Sequence, residues 1–595
     1  MEAAGQSRII QQKCSRTSSD KRVAGGTFSA VAAEVPQTSV HQSRTMCAGE
    51  RSYTDRRKAV VAQALNHLGI KCPQQDLVPR VALLASGGGE RSALALLGSL
   101  YQMEKDAWLD SLLYFAGVSG ATWTMAAVYS DPMWSTDMNR TLARLLDSRV
   151  DIQEVTSWLS ERSAAEFFSL SDIWGAMTSA ALMKQMTVRN ISEEATRNVT
   201  NPYPVYCGME NNCFVNGPTE GKWFEVTPHQ AGFPDLGFFV ETSLLGSRFQ
   251  NGVLVERKPE MDMIQLQGIL GSVLADMDTV KEKLPAWLNV SWEEESIMEE
   301  HLHVFRAVHK LIPSLLELVH DEDTDLHLRQ LDKLLADRQD RDLELVRRKT
   351  LTERQTYFDR WCQDLLSTTG AWSQSLPDGA AKHSVNLLVR KIIPLILKWE
   401  WGTTLNFLHQ LPEPTVPECL HSRERINLVD GGLHVNVGYP SFLGEKRDVD
   451  VMIVPESSAG DMFETLTLGR EHAAQVNKPF PVIDPQILEE KDWPKDCYVF
   501  EGKDKEPTII YMPLFNRKNC KDAEEVKSRM QEFSTFQPPL SHEKRSFLIE
   551  VGKTNMKNNK EVILREIRKA AERRLIRSNR QSTGGNQECG VRCLV

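Results

Sequence analysis

The pattern that most constrains this chain occurs twice between residues 81 and 128. Each copy is an apolar run, a turn of glycines and small residues, and a helix-forming stretch. The first reads Val81-Ala82-Leu83-Leu84-Ala85, then Ser86-Gly87-Gly88-Gly89-Glu90-Arg91, then SALALLGSLYQ. The second reads Ser111-Leu112-Leu113-Tyr114-Phe115-Ala116, then Gly117-Val118-Ser119-Gly120-Ala121, then TWTMAAVY. A short apolar run bounded by turn residues is a buried strand, and strand, tight turn and helix in succession build an α/β fold around a largely parallel sheet. Two later runs, Arg425–Asp430 and Val449–Val454, predict further strands. The expected architecture is therefore a three-layer α/β domain.

At 595 residues the chain is long enough for one large domain or two ordinary ones. Residues 1–50 are rich in Ser, Thr, Gln, Ala and Gly without apolar period and read as a disordered leader. A helix is predicted from Ser52 to Leu68, and a catalytic domain over 51–550. Within it, 293–366 is charged, has helical spacing and little strand signal, and reads as a helical cap or insertion. From 551 the chain reads as a basic amphipathic helix with a flexible tail. Nine Lys or Arg face three Glu across Met556–Arg580, opposite an apolar face of Val562, Ile563, Ile567, Ala570, Ala571, Leu575 and Ile576.

Three short segments are able to carry chemistry. A serine on a sharp strand-to-helix turn needs small neighbours, and Gly117-Val118-Ser119-Gly120-Ala121 supplies them; G-x-S-x-G is the elbow form of the same rule. Taken alone it is either a nucleophile or a turn capped by serine. Gly87-Gly88-Gly89 lets successive N–H groups converge on one spot, a phosphate or an oxyanion. The P-loop pattern is absent, and Ser92 stands where the dinucleotide fingerprint needs glycine, so an oxyanion hole fits better. Asp430-Gly431-Gly432 after an apolar strand is either an aimed carboxylate or a turn. A Ser–Asp–His triad would draw on His434, His472 or His542, none of which stands in a distinguishing motif. Ser272 lacks a small residue two places on and reads as packing.

The order glycine loop, serine elbow, Asp-Gly is more specific than any part of it. With SGGGERSA, GVSGATW and LVDGGLHVNVGYP, and supporting matches in TNPYPVY, WFEVTPHQAGFP, LQGILGS, WEWGTTLNFL, SSAGDMFETL and WPKDCYVF, the chain resembles the cytosolic (group IV) phospholipases A₂ over roughly residues 55–520. It is closest to the gamma branch, which lacks a calcium-dependent lipid-binding domain, and is more distantly similar to the patatin-like acyl hydrolases. The resemblance implies calcium-independent hydrolysis of glycerophospholipid acyl esters by a Ser–Asp dyad. Ser119 would attack the ester carbonyl, Asp430 would take its proton, Gly88 and Gly89 would hold the oxyanion, and Arg91 would stabilise the substrate phosphate or the transition state. An acyl-enzyme would then be hydrolysed. Lysophospholipase or transacylase activity would use the same dyad. The rival from another class is a catalytically weak lipid-binding protein, favoured only by Glu90, which stands where relatives carry an apolar residue.

The remaining features set partners and place. A net charge of -10 argues against nucleic acid, whose binding needs a basic surface. No metal or cofactor is expected, since backbone amides and Arg91 supply the charge stabilisation. No secretory signal and no span of about 18 apolar residues is read, so the expected setting is the cytoplasm, peripherally on intracellular membranes. Eleven scattered cysteines predict reduced thiols; Cys207 and Cys213 are a possible pair without a CxxC. The sequons at Asn139, Asn190, Asn198 and Asn289 carry little weight without a signal. Cys593 is third from the end, so the prenylation box is not met, and Cys589 and Cys593 are left as tail thiols open to palmitoylation. The basic helix offers contact with an anionic membrane surface at about 1 kcal/mol per Lys or Arg.

Overall fold

A computed structural model describes residues 39–275, 400–535 and 539–588 with short gaps, and pieces of 322–395. In chain order the strands are β1 (His41–Gln42), β2 (Val81–Ala85), β3 (Tyr114–Val118), β4 (Tyr203–Glu210), β5 (Trp223–Val226), β6 (Gln230–Phe233) and β7 (Phe238–Glu241). They continue as β8 (Arg248–Gln250), β9 (Val253–Glu256), β10 (Thr403–Leu405), β11 (Arg425–Asp430), β12 (Val451–Glu456), β13 (Tyr498–Phe500) and β14 (Thr508–Pro513). Three helices organise the first half: α1 (Ala48–His67), α2 (Gly89–Lys105) and α3 (Gly120–Val128).

The main sheet has 12 strands, in the order β1-β7-β6-β5-β4-β3-β2-β12-β14-β13, with β11 on β4 and β10 on β11. The centre is parallel: β4 with β3, β3 with β2, β2 with β12, and β12 with β14. Every residue of β2, β3, β4 and β14 is buried, so both faces of this centre are covered, as a three-layer fold requires. The flanks depart from the expected parallel sheet. β5, β6 and β7 follow one another through short turns, and such connections permit only antiparallel neighbours.

The register along β4 places the site. Val118, the last residue of β3, pairs with Cys207, and Asp430, the last residue of β11, pairs with the next residue, Gly208. β5 occupies the other edge of β4 from Tyr206 to Met209. β3 and β11 therefore share one edge of β4 and meet end to end, which carries Ser119 toward Asp430.

The ends of the chain differ from expectation in two ways. Residues 1–38 lie outside those described, but the fold begins before residue 50: His41–Gln42 pairs with β7, and α1 starts at Ala48 with the Cys47 thiol accepting from the Glu50 amide. The basic segment is not a separate helix from 551. One helix runs from His542 to Glu588 and packs along α2. The two backbones touch: a Cβ on Gly98 would sit 2.0 Å from the Ile549 carbonyl oxygen, and one on Gly552 would sit 2.0 Å from that of Ala95. Ile563, Ile567 and Ala570, expected on a lipid-seeking face, are wholly buried. Burying each isoleucine contributes about 1.5–3 kcal/mol. Several of the basic residues are engaged too: Arg574 pairs with Asp448 and Asp450, and Arg573 donates to Gly502 O and to Thr508. The charged segment 293–366 lies largely outside the described residues.

The expectation of reduced thiols is corrected at one place. Cys213 and Cys419 form a disulfide. Cys213 lies in the short helix after β4 and Cys419 in the one before β11, so the pairing of β11 with β4 brings them together. Cys207 is buried and free, not paired with Cys213. Among the described residues no helix is long and apolar enough to cross a membrane.

Candidate active site

Ser119 occupies the turn between β3 and α3 at φ 54° and ψ −128°, left-handed backbone that costs a non-glycine residue about 1–3 kcal/mol. It caps α3, and its carbonyl accepts from the Thr122 amide at 2.9 Å and the Thr122 hydroxyl at 2.6 Å. The small neighbours are required by contact. A Cβ at Gly120 would lie 2.2 Å from the Gly89 carbonyl oxygen, and one at Gly87 would lie 2.5 Å from Ser119 Cβ. Elbow and glycine loop are thus pressed together.

Gly88 and Gly89 have φ of 141° and 60° and open α2. The first amides of a helix lack intrahelical acceptors, and neither the Gly88 nor the Gly89 amide has an acceptor among the described residues. They are the free donors beside Ser119.

Asp430 is fully buried at the end of β11. Its Oδ1 accepts from the Gly432 amide at 2.8 Å, while Oδ2 makes no hydrogen bond of normal geometry. Burial pushes its carboxyl up to about 7, against the Gly432 amide, the Ser119 hydroxyl and the Val273 amide, which act to lower it. A carboxylate with that value beside a serine hydroxyl is matched to general-base work near neutral pH.

Arg91 lies elsewhere than a substrate-facing role would put it. It is fully buried, and its guanidinium donates to the carbonyls of Ser457, at 3.0 and 2.7 Å, and Phe533. Burial lowers it to about 10, still protonated at neutral pH. As placed, it ties two loops to the start of α2. Glu90, which sequence alone left facing solvent or headgroup, is buried. It pairs with Arg545 and accepts from the Leu540 amide at 2.9 Å, fastening the start of the C-terminal helix. Burial raises its carboxyl, and Arg545 and the Leu540 amide oppose the rise. The one sequence feature that favoured a non-catalytic protein thus has a structural partner.

His434 and His472 bond groups other than Ser119 and Asp430. His434 Nε2 bonds His472 Nδ1 at 2.9 Å, and His472 Nε2 bonds Asp235 at 3.0 Å, with Lys478 on the other oxygen of Asp235. Burial lowers His434 to about 3, so it stays neutral. His542 is exposed at the start of the C-terminal helix. Ser272 is buried and donates to the Ile269 carbonyl at 2.6 Å. Two groups were missed from sequence: the Val273 amide, which follows the GILGS motif, and Asn436, which follows Asp430 by six residues and contacts the glycine loop. The glycines at 87 and 432 were the only signal for Asn436, since both leave room for its side chain. Among the described residues no group of three or more His, Cys, Asp or Glu is placed to hold a metal ion.

A parallel-centred α/β sheet with a serine on a strained strand-to-helix elbow, a buried carboxylate at an adjoining strand end and free helix-start amides beside both has the architecture of a serine acyl hydrolase. The particular kin are plain from comparison. The model of the lysophospholipase catalytic domain matches residues 81–278. The chain is 29% identical to cytosolic phospholipase A2 gamma of Mus musculus, over 88% of this chain and 91% of that one. It is 28% identical to the Homo sapiens gamma protein, over 88% and 94%. It is also 28% identical to Homo sapiens cytosolic phospholipase A2 zeta, of which it spans 52%. The solved structure of human GIVD cytosolic phospholipase A2 superposes with a TM-score of 0.61 at 21% identity, covering 90% of this chain and 66% of that one; at this identity the likeness speaks for the fold. The chain is thus similar to the cytosolic phospholipases A₂ over most of its length.

Proposed function

We propose that this protein is a phospholipase that hydrolyses glycerophospholipid acyl esters through Ser119 and Asp430 without calcium, releasing fatty acid and lysophospholipid. The observation that carries the reading is Asp430: a buried carboxyl held near 7, one oxygen of which makes no hydrogen bond of normal geometry, beside a serine in a strained elbow. Asp430 takes the Ser119 proton as Oγ attacks the ester carbonyl. The tetrahedral oxyanion falls to the free amides of Gly88 and Gly89; each such donor is worth about 3 kcal/mol in the barrier. Asp430 returns its proton to the departing lysophospholipid alkoxide, and water, deprotonated by the same carboxylate, cleaves the acyl-enzyme. Arg91, as placed, contributes by holding the loops of Ser457 and Phe533 in position.

The relatives named cytosolic phospholipases A2 support the substrate class and a cytoplasmic setting at the surface of phospholipid membranes. The matched lysophospholipase domain favours a second reading with the same dyad, in which a lysophospholipid is the acyl donor or the acyl acceptor. The test is fatty-acid release from mixed phospholipid vesicles with chelator present. Release by the native chain, lost in Ser119→Ala and in Asp430→Asn, is expected. Release that survives Ser119→Ala overturns the nucleophile, and release abolished by chelator overturns calcium independence.

A further inference from the structure

Asn436 lies where three loops of the site meet. Its backbone carbonyl and its side-chain Oδ1 both accept from the Gly87 amide, each at 3.1 Å. Its Nδ2 donates to the Ser458 hydroxyl at 2.9 Å. The orientation of the side-chain amide is set by chemistry, because only its oxygen can accept from Gly87 N–H. The same oxygen stands 2.1 Å from where a Cβ on Gly87 would be, and 2.6 Å from one on Gly432. One side chain thus touches the glycine loop, the turn that follows Asp430 and the loop after β12.

We infer that Asn436 is the positioning residue of the oxyanion hole. An oxyanion hole works because its donors are fixed before charge develops. Three successive glycines work against that, since glycine has more conformational freedom than any other residue. Arg91 and its carbonyl partners anchor the far side of this loop; Asn436 anchors the near side by capturing the first of its three amides. With Gly87 N–H taken by Asn436, the loop that carries the Gly88 and Gly89 amides is held in place against the Ser119 elbow, where a Cβ on Gly87 would sit 2.5 Å from Ser119 Cβ. The inference rests on the Ser119–Asp430 reading. It also gives a reason for asparagine over aspartate: a second carboxylate beside Gly432, which itself donates to Asp430, would raise Asp430 further by like-charge repulsion.

The experiment uses the full chain and two readouts, steady-state fatty-acid release from phospholipid vesicles and the rate at which an alkyl fluorophosphonate labels Ser119. Asn436→Ala is expected to lower kcat about 10- to 100-fold with KM within about threefold, and to slow labelling in proportion, since phosphonylation also places charge in the hole. Asn436→Asp keeps the acceptor for Gly87. It is expected to recover most of kcat at alkaline pH while moving the acid limb of the pH–rate profile upward by about half a unit or more. Should Asn436→Ala not fold, Asn436→Asp decides, and a native pH profile in that variant overturns the inference. So does an Asn436→Ala enzyme with native kcat, or one altered in KM alone. Labelling that persists in Ser119→Ala, or fails in the native chain, instead overturns the dyad on which the inference stands.

Discussion

Two buried carboxylates in this molecule are treated in opposite ways. Glu225, on β5, is fully buried and surrounded by cations: Arg447 reaches both of its oxygens, at 2.7 and 3.0 Å, and Lys446 reaches one at 2.6 Å. Arg447 also takes Glu50 of α1, at 2.7 and 3.1 Å, so four charges from three parts of the chain close on one another. Although burial opposes it, Arg447 and Lys446 drive the Glu225 carboxyl far below its usual range. Asp430 is as deeply buried and has no cation, only amides and a hydroxyl, and its carboxyl rises instead. The difference separates holding a fold together from doing chemistry. A paired charge cannot accept a proton at neutral pH, whereas an unpaired one is poised to, at a cost in stability.

The largest expected effect breaks the unpaired side. Asp430→Asn and Ser119→Ala should each lower kcat by about a thousandfold or more, measured as fatty-acid release. Their stabilities should diverge from that loss. With its folded value raised to about 7 from 3.8, Asp430 makes the native state less stable as pH climbs between those values, by up to about 4 kcal/mol. Asp430→Asn should therefore melt higher than the native chain at pH 8 and the same or lower at pH 4. A lower melting temperature at pH 8 would contradict the burial argument. On the paired side, Glu225→Gln should destabilise by about 3 kcal/mol or more in urea unfolding, because Arg447 and Lys446 lose their shared partner. The native pair's contribution is present above the usual glutamate value and lost as pH falls through the depressed one, so the gap between native and Glu225→Gln should narrow in acid.

The pH–rate profile sharpens the same contrast. Turnover should fall about tenfold per pH unit below about 7 as Asp430 takes up a proton, and a profile flat to pH 5 would mean another group is the base. The smallest effect belongs to His434. His434→Gln should change kcat by no more than about threefold, whereas removal of a triad histidine costs roughly a millionfold.

Local features were legible in the sequence. β2, the elbow at Ser119 and β11 stand where apolar runs and glycines put them, because strand length, turn chemistry and small neighbours are decided over a few residues. What failed was long-range. An amphipathic helix looks the same whether its apolar face meets lipid or protein; here Ile563, Ile567 and Ala570 are buried in the protein while Leu575 and Ile576 stay exposed, and Gly98 and Gly552 were the silent signal for the close packing on α2. Glu90 is answered by Arg545, 455 residues away, and Cys213 by Cys419, 206 residues away. Arg91 was read as facing substrate because its neighbours in sequence do; the carbonyls that hold it come from residues 457 and 533. The antiparallel flanks of the sheet were missed because strands as short as β6 and β7 give no distinct period.

The end-to-end meeting of β3 and β11 on β4 has a consequence for the protein's synthesis. In the proposed mechanism the nucleophile, Ser119, is made early and its base, Asp430, roughly three hundred residues later, and such distant pairings form late in folding. A nascent chain on the ribosome already displays Ser119 but has no base for it until β11 has emerged and docked. On that mechanism the protein is born without the means to cleave an ester, and its competence arrives in one step with the closing of the sheet.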